Sequence, residues 1–167
     1  MTSTARTITA EKFTAARWSP FGWVPLADTD PRDGQATLHF EWADPHLNLI
    51  GHDVAEVPST AGGLTCEMLF RHRTHTQALL VLNTPAVIVV APAGAAFAGP
   101  DDAAQLRAFA LQPLDALVLH RGTWHWGPFP VGAPRVDMLN VQGRRYAEDN
   151  DCCALAAAGA SVEVRPA

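Results

Sequence analysis

The stretch Ala116-Leu117-Val118-Leu119-His120-Arg121-Gly122-Thr123-Trp124-His125-Trp126-Gly127-Pro128 decides the reading of this chain. A compact apolar run passes without a break into a segment with histidines at 120 and 125. Upstream, Arg71-His72-Arg73-Thr74-His75-Thr76-Gln77 runs straight into Ala78-Leu79-Leu80-Val81-Leu82. Short apolar runs of β-branched and aliphatic residues, bounded by turn residues, read as strands. Two nitrogen-rich segments abutting two strands suggest one pocket lined from both.

Outward from that stretch the same pattern repeats. Leu64 to Arg71, Gln77 to Leu82, Ala86 to Ala91, Gln105 to Leu111, Ala116 to Leu119 and Arg135 to Val141 read as short strands. Turn signals separate them, among them Asn83-Thr84-Pro85, Gly99-Pro100-Asp101-Asp102 and Gly132-Ala133-Pro134. Strands at this spacing predict an all-β sandwich or barrel. In the first half, Ala36 to Trp42 alternates as a strand, and Asn48 to Pro58 forms another with irregular ends. Residues 27–35 read as a polar loop. Thr9 to Ala16 reads as a short helix with a threonine cap, and Asp149 to Ala158 as a C-terminal helix. No repeat or linker divides the chain, so residues 1–167 are taken as one domain, with 1–8 and 159–167 as flexible tails.

At 167 residues, 48% hydrophobic and 17% charged, the chain can bury a core. A formal charge of −5 without a basic run argues against a nucleic-acid partner. Lys12, in a polar stretch, is the only lysine, which argues against Schiff-base chemistry. No apolar stretch is long enough to span a membrane, and residues 1–6 show no apolar signal core. Cys66, Cys152 and Cys153 form neither a CxxC motif nor an even set, so the expectation is a cytoplasmic protein with reduced thiols.

His72, His125 and Gln77 are the candidate ligands of a divalent metal, because such a site needs three or four converging N, O or S donors. His75 is a weaker fourth, since an offset of three along an extended strand sends two side chains to opposite faces. The alternative is a polar, metal-free pocket. His120 joins His72, His125 and Gln77 as a candidate for proton handling or hydrogen bonding. His39, His46 and His52 rank below these. Arg71 and Arg121 adjoin the histidine segments and lead Arg73 and Arg135 as candidate carboxylate clamps. Trp126 belongs either to the core or to a substrate surface. Asp137, inside an apolar strand, is either paired structurally or orients a histidine.

The two histidine segments resemble the paired motifs of the cupin superfamily. His120-x-Gly122-x-x-His125 resembles the second, with His120 in the proline position. In the first, Phe70 and His72 take the two histidine positions and Gln77 the carboxylate position. More narrowly, the chain resembles the ureidoglycolate lyase family. The resemblance rests on Phe21-Gly22-Trp23-Val24, Arg71-His72 through Thr76-Gln77-Ala78, Val87 to Ala91, Leu106 to Phe109, His120 to His125, Arg135-Val136-Asp137 and Asn150-Asp151-Cys152, in the family's order. It implies a cupin-type β-barrel, a homodimer, a divalent metal in some members, and elimination of urea from ureidoglycolate, a carboxylate-bearing hemiaminal of purine breakdown, to leave glyoxylate. The chain departs from the pattern at three positions. The family usually has glutamate where Phe70 stands, usually histidine where Trp126 stands, and often aspartate where Gln142 stands. These changes motivate two alternatives: a lyase or isomerase for a larger, more apolar carboxylate in secondary metabolism, with Phe70 and Trp126 touching substrate, and a non-catalytic binding cupin.

Overall fold

Fifteen strands and two short helices make up the computed structural model, which describes residues 6–25 and 36–166. In chain order these are β1 (Arg6–Thr9), β2 (Glu11–Lys12), α1 (Ala15–Trp18), β3 (Gly22–Trp23), β4 (Pro45–Asp53), β5 (Ser59–Thr60), β6 (Gly63–Cys66), β7 (Met68–Arg71), β8 (Gln77–Val81), β9 (Ala86–Ala91), β10 (Arg107–Leu111), β11 (Ala116–Leu119), β12 (Trp124–Pro130), β13 (Arg135–Gly143), β14 (Asp151–Ala154), α2 (Leu155–Ala158) and β15 (Val162–Arg165). The fold is all-β and cupin-like. The described strands form a six-stranded sheet, β14-β7-β12-β9-β10-β2, a five-stranded sheet, β3-β11-β8-β13-β4, and a four-stranded sheet, β1-β15-β6-β5. They do not close into the continuous hydrogen-bonded barrel that the resemblance implies.

Two apolar layers explain the strand patterns. Leu79, Val81, Ile88, Val90, Phe109, Leu117, Leu119, Val136 and Met138 fill the space between the two larger sheets. Leu64, Cys66, Val87, Val89, Trp124, Phe129, Val162 and Val164 pack the six-stranded sheet against the smallest one. Strand β9 faces both layers, so every residue of Ala-Val-Ile-Val-Val-Ala is buried. This is the reading expected of a strand covered on both faces. Strands β8 and β13 have one covered face and alternate accordingly. Their inward sequences change character along the strand. Val136 and Met138 give way to Asn140 and Gln142 on β13, and Val81 and Leu79 give way to Gln77 on β8. The apolar core ends where these amides begin, and a cavity takes its place.

The sequence reading needs correction at several elements. The helix expected over Thr9–Ala16 is strand β2 followed by α1, capped by Thr14. Ala36–Trp42 is not a strand but holds one bridge, Phe40 to His75. Leu64 to Arg71 splits into β6 and β7, which join different sheets. Strand β12, Trp124–Pro130, was not foreseen as a strand. The expected C-terminal helix is a 3-10 turn, then β14, then the four-residue α2. Where tails were expected, β15 pairs with both β1 and β6, burying Val162 and Val164. The polar loop read at 27–35 lies outside the described residues.

Candidate active site

A cavity of about 580 Å³ opens at the amide-lined end of the core. Both larger sheets contribute to it: His125 and Trp126 from β12 and Phe70 from β7 on one side, Gln77, Gln142, Asn48 and His52 from β8, β13 and β4 on the other. His72, Tyr146 and Asn150 reach it from the connecting segments. Phe70, Trp126 and Gln142 all line it.

The two histidine segments are joined by backbone. Gly122 N–H donates to the His72 carbonyl at 2.6 Å. Gly122 has a φ of +82°, and a Cβ there would sit 3.1 Å from the Ala93 Cβ, so glycine serves both the turn and the close approach. The result places the His72 and His125 rings 5.5 Å apart. Each ring is fixed through Nδ1, His72 against the Asp149 carbonyl at 2.8 Å and His125 against the Thr123 carbonyl at 3.2 Å. A carbonyl oxygen only accepts, so Nδ1 carries the proton in both rings and each Nε2 keeps a lone pair. Burial lowers the pKa of His72, against the raising effect of the Asp149 carbonyl and carboxylate. Burial first, then the neighbouring His72, takes His125 down to about 3. Both rings are therefore neutral near pH 7.

Asp149 organises this end of the site, and sequence reading missed it because it lies far along the chain in what looked like a helix. Its carboxylate accepts Arg73 N–H at 2.9 Å, Thr74 N–H at 2.7 Å and the Thr74 hydroxyl at 2.5 Å. This cap turns the chain between His72 and His75, so the opposite-face argument fails. The two rings stack with centroids 4.4 Å apart and planes 21° from parallel. His75 is fully buried, and burial, then His72, lowers its pKa to about 4. It backs His72 rather than lining the cavity. His72, His75 and Asp149 form a compact potential donor cluster, in which His72 Nδ1 is engaged by the Asp149 carbonyl and the carboxylate already has three donors. The Gln77 amide nitrogen donates to Asn140 Oδ1 at 2.9 Å, while its Oε1 is buried without a partner.

Four other sequence candidates lie elsewhere. His120 is exposed beside Trp23 (5.4 Å between rings) and borders a separate cavity of about 500 Å³ with His39 and Arg121. Arg121 lies 3.6 Å from Glu41 at the same surface. Arg71 points away from Phe70, as alternation along β7 requires. It donates to Asp151 at 2.9 Å and to the Ala93 carbonyl at 3.0 Å, and stacks 4.1 Å over Trp124. Asp137 accepts from Arg135 at 2.8 Å and from Asn83 at 3.1 Å, the structural pairing. Sequence reading ranked His52 low, but it lines the main cavity. Only its register on a strand with Asn48 and Ile50, all on one face, could have pointed to it.

Comparison with known proteins agrees with this architecture. The family model for ureidoglycolate lyase matches residues 5–164. The chain belongs to the ureidoglycolate lyase family. Ureidoglycolate lyases of Pseudomonas entomophila strain L48 and Pseudomonas fluorescens strain Pf0-1 are each 32% identical to it over 163 residues, covering 88% of this chain and 89% of the relative. That of Pseudomonas syringae pv. tomato DC3000 is 33% identical over 132 residues, 72% of this chain and 74% of its own.

Proposed function

We propose that this chain cleaves the C–N bond of ureidoglycolate, releasing urea and leaving glyoxylate. The observation that carries the reading is the pair of neutral imidazoles, His72 and His125, each locked at Nδ1 by a backbone carbonyl on the wall of one cavity. In the elimination the hydroxyl loses its proton, its oxygen becomes the carbonyl of glyoxylate, the C–N bond breaks, and the departing nitrogen gains a proton. One base that takes the first proton and returns it to nitrogen balances the reaction. The Nε2 lone pairs of His125 and His72 supply that base, and the fixed tautomers keep them aimed without reorganisation.

A divalent ion fits the same end. His72, His125 and the orphaned Gln77 Oε1 would hold it, three neutral donors of the hard-to-borderline kind. When bound it would act as a Lewis acid that stabilises developing negative charge on oxygen. Ion and proton compete for the same imidazole lone pairs, so metal content and turnover need to be measured on the same sample. The family reading extends to breakdown of a purine-derived ureide, a homodimer and a cytoplasmic location. A second reading, a lyase for a larger carboxylate, is favoured by the apolar wall of Phe70, Trp126 and Phe129, the last two with centroids 4.5 Å apart.

The test is release of urea and glyoxylate from ureidoglycolate by purified protein, with and without chelator. His125→Ala is expected to lower kcat on the order of a hundredfold or more. Absence of release under either condition ends the proposal. Faster release from a C-alkylated ureidoglycolate would favour the second reading.

A further inference from the structure

The cavity's charge is unusual for an enzyme acting on a carboxylate. Among the described residues that line it there is no arginine and no lysine. Its carboxylates among the described residues, Glu56 and Glu67, are both exposed. Glu56 Oε1 accepts the Asp53 N–H at 2.8 Å, which leaves Oε2 unengaged by that bond. A substrate carboxylate placed against these two groups would be repelled, whereas an N–H donor would be received.

His52 lies on the same side of the cavity, on β4. The pairing of β12 with β9 shifts register between Trp126 and Phe129, a bulge that takes the Pro128 carbonyl out of the ladder. His52 Nδ1 lies 2.8 Å from that carbonyl. Its ring lies nearly flat on Phe129, 4.8 Å between centroids and 28° between planes. Because the carbonyl can only accept, the neutral ring carries its proton on Nδ1 and offers Nε2 as an acceptor. This is the tautomer found at His72 and His125, but on the other sheet, in a cavity whose lining also holds the two glutamates.

The geometry points to His52 as the residue that recognises the ureido group. Its Nε2, with the carboxylates of Glu56 and Glu67, forms an acceptor wall for the N–H groups of the departing urea. The substrate then lies with its hydroxyl donating to the Nε2 lone pairs at the His72–His125–Gln77 end and its ureido end toward His52, Glu56 and Glu67. His52 is a positioning residue here, and the inference rests on the ureidoglycolate reading above.

The experiment uses full-length protein with ureidoglycolate as substrate and urea and glyoxylate as separate product inhibitors. His52→Phe keeps a ring on Phe129 and removes the acceptor. It is expected to raise KM by roughly 5- to 30-fold, the cost of one unpaired buried donor, with kcat unchanged. Inhibition by urea weakens by the same factor and inhibition by glyoxylate stays as in the wild type. His52→Gln, whose amide oxygen accepts, recovers most of the loss. Should His52→Phe fail to fold, the surface double variant Glu56→Ala with Glu67→Ala, which removes both acceptors, carries the test and weakens urea inhibition selectively. Unchanged urea inhibition, parallel loss of glyoxylate inhibition, or a fall confined to kcat overturns the inference while leaving the lyase reading intact. No urea release by the wild type removes both.

Discussion

Lowering the pH from 7 to 5 is expected to remove about 4 kcal/mol from the folding free energy, through His75 and His125 alone. Their pKa values in the folded chain are lowered to about 4 and about 3, from an ordinary 6.5. Below pH 6.5 the unfolded chain takes up protons that the folded chain refuses. Stability is therefore full above that pH and declines as pH falls toward the folded values. At pH 5 each ring costs RT ln(1 + 10^1.5), about 2 kcal/mol, and the figure changes little however far below 5 the folded value lies. Burial also lowers the pKa of His72, which adds in the same direction. The capping carboxylate of Asp149, whose pKa is lowered from 3.8, counts only in more acid solution. Against the 5–15 kcal/mol typical of a domain, a loss of about 4 is large. The assay is urea unfolding at pH 7, 6 and 5, followed by tryptophan fluorescence, with chelator present so that no ion adds its own proton linkage. His125→Gln should remove about half of the dependence. Equal stability at pH 7 and pH 5 would show that the rings are not buried neutral, and the tautomer argument for the site would go with it.

Asp149→Ala leaves the Arg73 and Thr74 donors without their acceptor. It should cost roughly 2–4 kcal/mol in urea unfolding and lower kcat at temperatures where the variant is still folded, because the His72 turn is no longer held. Gly122→Ala forces a Cβ into φ +82° and against Ala93. A loss of roughly 1–3 kcal/mol is expected, and a neutral result would show that the turn relaxes freely. Leu47 and Leu49 are 64% and 71% exposed along the edge strand β4, a face that invites pairing. If the homodimer uses this face, Leu49→Lys shifts the mass seen by light scattering from dimer to monomer, and an unchanged mass places the contact elsewhere.

What was legible in the sequence follows from how many faces of each strand are covered. Strands β8, β9 and β11 were readable to within a residue, because their apolar runs are short and bounded by turn residues. Strand β12 was not, because Trp124-His125-Trp126-Gly127-Pro128-Phe129-Pro130 carries a glycine and two prolines where a ladder expects donors. It tolerates them through its bulge. The C-terminal segment misled for another reason: alanine favours helix locally, yet Val162 and Val164 gain more from burial between β1 and β6. At the site, His72 and His125 stood out from adjacency to strands and Gln77, Phe70 and Trp126 from the family resemblance, and all five line the cavity. Arg71 and Arg121 were misplaced for want of strand direction, since neighbours in sequence point to opposite faces. Asp149 was out of reach and only strand register hinted at His52, because each meets the site through contacts far along the chain, 77 residues for the His72–Asp149 bond and 76 for the His52–Pro128 bond.

The same burial that weakens the protein in acid keeps the lone pairs of the site free of protons near neutrality. An imidazole in water near its ordinary pKa is part protonated and rotates freely, so its lone pair is present only part of the time and in no fixed direction. Here His72, His125 and His52 each donate Nδ1–H to a backbone carbonyl, which fixes the direction of Nε2, and burial keeps His72 and His125 neutral. The carbonyls come from places where the regular ladder is interrupted: the segment after the Asp149 turn, the strand entry at Thr123 and the bulge at Pro128. Backbone oxygens freed from sheet pairing would themselves need donors. Each interruption therefore supplies the acceptor that one histidine needs, and each histidine satisfies the oxygen that the interruption leaves bare. Substituting any of the three rings with an apolar side chain should thus leave an unsatisfied carbonyl in addition to the lost lone pair. For that reason stability and activity are expected to fall together at positions 72 and 125, and a polar replacement that can donate in place of Nδ1 should restore the former without the latter.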